Sequence, residues 1–220
     1  MSAVKSTPIA VMMGGAGSSG KTVLAKALCQ SAPEGSIAHA PSFTRNGYEE
    51  ALSIGMRVPN EKAALELSPE DAGKFQSFLF HYYIRRVNTY LQVAAITPGV
   101  RVCIFERMPF DHLAYIRSQC MVGNYDWSGM NKQAARLIEK VKPILVYLPD
   151  GAPWVKAGMG NDGFRKLDPA KERAFDCDLL AQLCSLKYKD TVYAQTYDLT
   201  ERVALVRNEI IARGGVNLWQ

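Results

Sequence analysis

Two periods of hydrophobicity alternate along the chain. Short continuous apolar runs over 8–13, 36–40, 100–105, 144–148 and 191–196 suit strands buried on both faces. Between them, apolar residues recur at three- and four-residue steps, which predicts helices over 23–30, 68–96, 111–120, 130–141, 169–186 and 200–213. The longest carries Phe75, Phe78, Leu79, Tyr82, Tyr83 and Tyr90 on one stripe, and Ser68-Pro69-Glu70-Asp71 supplies its cap with proline at the first helical position. The stretch 42–47 is polar and reads as a loop whose tip lies beside the loop after the first strand. Residues 149–166 are rich in Gly, Pro, Asp and Lys and read as a mobile flap. Strand and helix alternate five times, so the expected architecture is α/β, a three-layer sandwich with a parallel sheet of about five strands.

With 48% apolar residues the chain can fill a core, and no linker divides it, so 1–220 is expected to be a single domain. No apolar run approaches the roughly 20 residues of a membrane helix, and the first eight residues lack the order of a secretory signal. No membrane association and a cytoplasmic location follow as expectations, in the host cytoplasm if the chain is phage-encoded. Five cysteines without a CxxC pair predict free thiols, and three scattered histidines give no zinc spacing. His81 and His112 are expected to be packed or solvent-facing. The net charge of +5 is compatible with a phosphate-rich partner.

One segment carries specific chemistry. Gly15-Ala16-Gly17-Ser18-Ser19-Gly20-Lys21-Thr22 fits G-x-x-x-x-G-K-[ST] between a predicted strand and a predicted helix. Glycines there turn backbone N–H groups toward phosphate oxygens, Lys21 reaches the β- and γ-phosphates, and the Thr22 hydroxyl is the candidate Mg²⁺ ligand. At the end of the strand over 100–105, Glu106 is placed to face the metal, and Arg107 to face the transferring phosphoryl or its acceptor.

These residues, with three further stretches, resemble the P-loop kinases of nucleosides and nucleotides, among them deoxynucleoside and thymidylate kinases and the domains that phosphorylate nicotinamide riboside. Phe105-Glu106-Arg107-Met108-Pro109-Phe110-Asp111-His112-Leu113-Ala114-Tyr115 is similar to the family's [DE]-R-S-x-x-D-x-x-A-Y, with Met108 where the family has Ser. Asn161-Asp162-Gly163-Phe164-Arg165 resembles the D-G-x-R lid, and Thr44-Arg45 the T-R element after the second strand. The resemblance implies a P-loop NTPase fold with a lid at about 149–175 in which Arg165 is catalytic beside Lys21, Glu106 and Arg107. It also implies ATP and Mg²⁺ as cofactors, and an acceptor held by Thr44, Arg45, Tyr82, Arg86 and Asp111.

The acceptor is then a nucleoside or nucleotide, or a 5-hydroxymethyluracil already within DNA, as in the similar phage DNA kinases. Arg57, Arg85, Arg86 and Trp127 would suit a polymer. A P-loop ATPase or switch module is the competing class, although the guanine-specifying N-K-x-D and the long insertions of motor ATPases are both missing. A homodimer is compatible with the sequence.

Overall fold

The computed structural model describes residues 7–40, 42–58, 67–119, 126–149, 169–214 and 218–219. Five parallel strands stand in the order β2-β3-β1-β4-β5: β1 (Ile9–Gly14), β2 (Ile37–Ala40), β3 (Val102–Phe105), β4 (Ile144–Tyr147) and β5 (Thr191–Tyr193). Seven helices accompany them among the described residues: α1 (Lys21–Gln30), α2 (Phe43–Ser53), α3 (Pro69–Ile96), α4 (Pro109–Gln119), α5 (Trp127–Val141), α6 (Pro169–Leu186) and α7 (Leu199–Gly214).

The central strands are apolar throughout because both faces are covered, and their alternation sorts the core into two layers. Val11 and Met13 of β1, Val102 and Ile104 of β3, and Ile144 and Val146 of β4 pack with Leu24 and Leu28 of α1 and Val206 and Ile210 of α7. Ala10 and Met12, Cys103 and Phe105, and Leu145 and Tyr147 face the other way, toward α3, α4, α5 and α6. Burial pushes the Cys103 thiol up to about 12, as expected of a small core residue. Cys29, Cys103, Cys177 and Cys184 are all free. No helix among the described residues is long and apolar enough to cross a membrane.

The order places β1 between β3 and β4, so the chain leaves β1 toward one edge and later passes it to reach the other. That reversal opens a crevice beyond the carboxyl end of β1, where open α/β sheets hold ligands.

One sequence expectation changes. The polar stretch 42–47 opens α2 rather than forming a loop, because Phe43, Gly47 and Ala51 recur on a buried face that polar neighbours conceal. The long helix starts as expected, with Ser68 Oγ accepting from the Asp71 amide.

Of the aromatic stripe on α3, Phe75 belongs to a satellite core. Its ring meets Tyr48 of α2 edge-on at 4.6 Å, and Ala51, Val58 and Leu79 close around it. Phe75→Ala should therefore cost about 3–5 kcal/mol, through lost burial and the cavity left behind. Urea unfolding measures this, and a loss under about 1 kcal/mol would show that α2 and α3 do not share a packed cluster.

Candidate active site

The glycine loop is shaped by what stands over it. Gly15 has φ 145°, and a Cβ there would lie 2.2 Å from the Leu148 carbonyl oxygen just past β4, so only glycine fits. Ser18 and Gly20 also have positive φ, at 59° and 95°, which curls the loop back toward α1. Gly20 is the N-cap of α1 and, as a glycine, supplies no side-chain cap, so the positive end of the helix dipole faces the loop.

Lys21 begins that helix and is nearly enclosed. Its Nζ donates to the Gly15 carbonyl (2.8 Å), the Ala16 carbonyl (2.7 Å) and Ser19 Oγ (2.9 Å). From the far side, Arg202 of α7 donates to the Ser19 carbonyl (2.7 Å) and the Thr196 carbonyl (2.6 Å), with its guanidinium over the Tyr197 ring. Burial lowers the Arg202 pKa. No local pattern marks Arg202, which is 183 residues from its loop partner, and sequence reasoning missed it.

The strand-end residues meet the loop. Thr22 Oγ1 donates to Glu106 Oε2 at 2.6 Å, while Glu106 Oε1 lies 2.8 Å from His39 Nε2. Burial pulls the Glu106 pKa up, but the bonds from His39 and Thr22 and the charges of His39 and Lys21 outweigh it, so the carboxyl titrates below its ordinary range. His39 was not foreseen as part of the site. Its signal was its place next to the end of β2, which pairs with β3 in parallel.

Asp111, at the start of α4, is fully enclosed. Oδ1 accepts from the Gly15 amide (3.0 Å) and Oδ2 from the Met108 amide (2.7 Å). Both oxygens are directed at the protein's own backbone, so in this structure Asp111 braces the loop and does not present a face to an acceptor. Burial raises its pKa, and the charges of Arg107 and Lys21 with the two amides only partly offset this. Arg107 is buried beside it, 3.4 Å from the Gly15 carbonyl, 3.5 Å from Asp111 Oδ1 and over the Tyr115 ring. Burial opposes its charge, but Tyr115, Asp111 and Glu172 overcome that and hold its pKa above the ordinary arginine value.

Met108 is also fully buried, and a Cβ on Gly14 would fall 2.5 Å from its Cε. An apolar side chain thus packs against the end of β1 where the resembled pattern has a serine.

A second group stands across α3. The Arg86 guanidinium lies over the rings of Phe43 and Tyr82, at 5.8 and 5.9 Å, and Thr44 Oγ1 is buried with no hydrogen-bond partner among the described residues. Arg45 is exposed on α2. Phe43 packs on Tyr83 at 6.1 Å, and the Tyr83 hydroxyl donates to the Arg107 carbonyl, joining this group to the loop. Arg57 and Arg85, considered for a polymer, are paired with Asp71 and Glu50. Trp127 carries Arg117 over its ring. Arg165 and the whole D-G-x-R segment lie outside the described residues, as does Cys120; Lys171 and Arg173 are exposed on α6.

A glycine loop joining the central strand of a parallel sheet to a helix, with helices on both faces, is a P-loop NTPase-like fold. A crystal structure of NadR protein in complex with NR shares it, with a TM-score of 0.59 and 16% identity, over 97% of this chain and 53% of that one. The chain thus spans about half the length of that neighbour. At that identity the likeness is one of fold. The sequence matches no family model and no curated protein.

His112, one residue beyond Asp111, is packed as expected and stays neutral: burial, then the nearby Arg107 charge, lowers its pKa to about 3. A histidine depressed in the fold stabilises it fully above its ordinary value of about 6.5 and loses that contribution as pH falls toward 3, because the unfolded chain takes up the proton first. Between pH 7 and pH 5 this group should cost about 2 kcal/mol in unfolding free energy. Urea unfolding of wild type and His112→Gln at both values measures it; the variant should lose most of that difference, and parallel pH slopes would refute the assignment.

Proposed function

We propose that this protein is an ATP- and Mg²⁺-dependent kinase that transfers the γ-phosphoryl group to a hydroxyl or phosphate of a nucleoside- or nucleotide-type acceptor. The observation that carries the reading is the 2.6 Å contact between Thr22 Oγ1 and Glu106, which brings a strand-end carboxylate onto the first turn of the loop helix, with Arg107 beside it. A glycine loop alone would serve any nucleotide-binding protein. An acid held at that point has a task in transfer, since it can accept the proton of an attacking hydroxyl.

In this reading the backbone N–H groups over Gly15, Ala16, Gly17, Ser18, Ser19 and Gly20 and the start of α1 take the phosphate chain. Lys21 exchanges loop carbonyls for phosphate oxygens. Thr22 and Glu106 are hard oxygen donors, which suits Mg²⁺ held by one or two protein groups and the substrate's phosphates. When bound, the ion neutralises charge on the β- and γ-phosphates. Glu106 accepts the acceptor's proton, and His39 fixes the orientation of its carboxylate. Arg107, anchored through Tyr115 and Asp111, keeps positive potential at the reacting end of the loop. Thr44, Arg45, Tyr82 and Arg86 form the acceptor side, with Asp111 supporting it from behind the loop, and Arg165 acts on the transferring phosphoryl from the lid.

Incubation with γ-labelled ATP and a panel of nucleosides, nucleoside monophosphates and DNA with or without 5-hydroxymethyluracil tests the reading by showing where label appears. Label on none of them, with ATP hydrolysed to free phosphate, would favour the ATPase class. Lys21→Ala should abolish transfer in a folded protein. Glu106→Gln should lower kcat by about 10²–10⁴-fold, with nucleotide affinity little changed. Arg165→Ala should cost on the order of 10³-fold in rate. Normal turnover in folded Lys21→Ala would refute the assignment of the loop.

A further inference from the structure

The anion-binding surface of the loop is partly taken by the protein's own acids. Asp111 holds the Gly15 amide from an enclosed position. The Gly17 amide donates to Glu172 Oε2 at 2.7 Å, across 155 residues of chain. Glu172 lies in the first turn of α6 and is only partly buried. Its carboxylate also adds to the negative field that holds Arg107 charged. The helix does not depend on it for its seat. Phe175, Leu179 and Leu183 bury α6 in the core, the Phe175 ring packs at a tilt on Tyr115 of α4 at 4.3 Å, and Tyr147 of β4 donates to Asp176 at 2.7 Å. The Glu172 side chain can therefore leave the loop while the helix stays in place.

We propose that Glu172 is an internal competitor for the nucleotide: its carboxylate oxygen stands on a loop amide that a phosphate oxygen would otherwise take. This rests on the reading of the loop as a phosphate site. A carboxylate and a phosphate oxygen are both anionic acceptors of N–H bonds, and the two cannot share one amide at close range without strong repulsion. Nucleotide binding must therefore break the Gly17–Glu172 bond, and the resting affinity is lowered by the free energy of that bond. In exchange, the contact keeps the Gly17 amide bonded although buried.

The contact sets a threshold on nucleotide occupancy that is absent from the G-x-x-x-x-G-K-[ST] pattern itself. It also couples the start of α6 to the state of the loop, since Glu172 released from Gly17 is free to take another donor.

Direct titration with an unhydrolysable ATP analogue, with no acceptor present, measures the effect independently of catalysis. Glu172→Gln keeps the size of the side chain and removes its charge; Glu172→Asp withdraws the carboxylate by one methylene. Both should bind the analogue more tightly than wild type, by about tenfold or more for loss of a charge-assisted hydrogen bond, and the gap for Glu172→Gln should narrow in high salt. In the nucleotide-free protein, the Gly17 amide resonance should move in both variants. Binding by wild type with no gain in either folded variant overturns the inference and leaves the phosphate site standing. Failure of all three proteins to bind the analogue overturns both. Unchanged analogue affinity with a raised acceptor KM would assign Glu172 to the acceptor and overturn its role as a competitor.

Discussion

The site depends on a carboxylate that no solvent reaches. Asp111 accepts from the Gly15 amide with one oxygen and from the Met108 amide with the other, which ties the loop after β1 to the turn after β3. A buried acid is costly unless its charge is matched and its oxygens bonded. Arg107 and Lys21 supply the charge, and the two amides supply bonds. The same group thus fixes the loop, the acidic-arginine pair and the start of α4 with respect to one another. Gly15 makes the arrangement possible, because its backbone comes so close to Leu148 that any side chain would be expelled.

Around this brace the loop is held by groups that reach it from every layer. Arg202 comes from α7 on one face of the sheet, Glu172 from α6 on the other, and Arg107 from the neighbouring strand end. Cations bond its carbonyls at Gly15, Ala16 and Ser19, and acids bond its amides at Gly15 and Gly17. A ligand must replace bonds already made, and its affinity measures a difference rather than a sum.

Glu106 belongs to another balance. It is drawn between Thr22 and His39, and both bonds favour the ionised form over the effect of burial. An ionised carboxylate at the first turn of α1 suits a group that receives a proton or faces a cation. Across α3, the Arg86 guanidinium lies over two aromatic rings, those of Phe43 and Tyr82.

The sequence by itself determined the strands, six of the helices and the glycine loop. Apolar runs report burial on both faces, the stripe on α3 reports one packed face, and the spacing of Gly15, Gly20, Lys21 and Thr22 has a local backbone cause. Glu106 and Arg107 were legible for the same reason, as charges at the end of a buried strand. The helix α2 was hidden because Phe43, Gly47 and Ala51 are outnumbered by polar neighbours. Only the tertiary structure decided that His39 meets Glu106, that Asp111 faces inward, that Met108 packs on the end of β1, and that Arg202 and Glu172 grip the loop from 183 and 155 residues away. Those contacts are set by sheet order and helix placement. A pairing across so many residues leaves no period or spacing in the chain, because its cause is the fold itself.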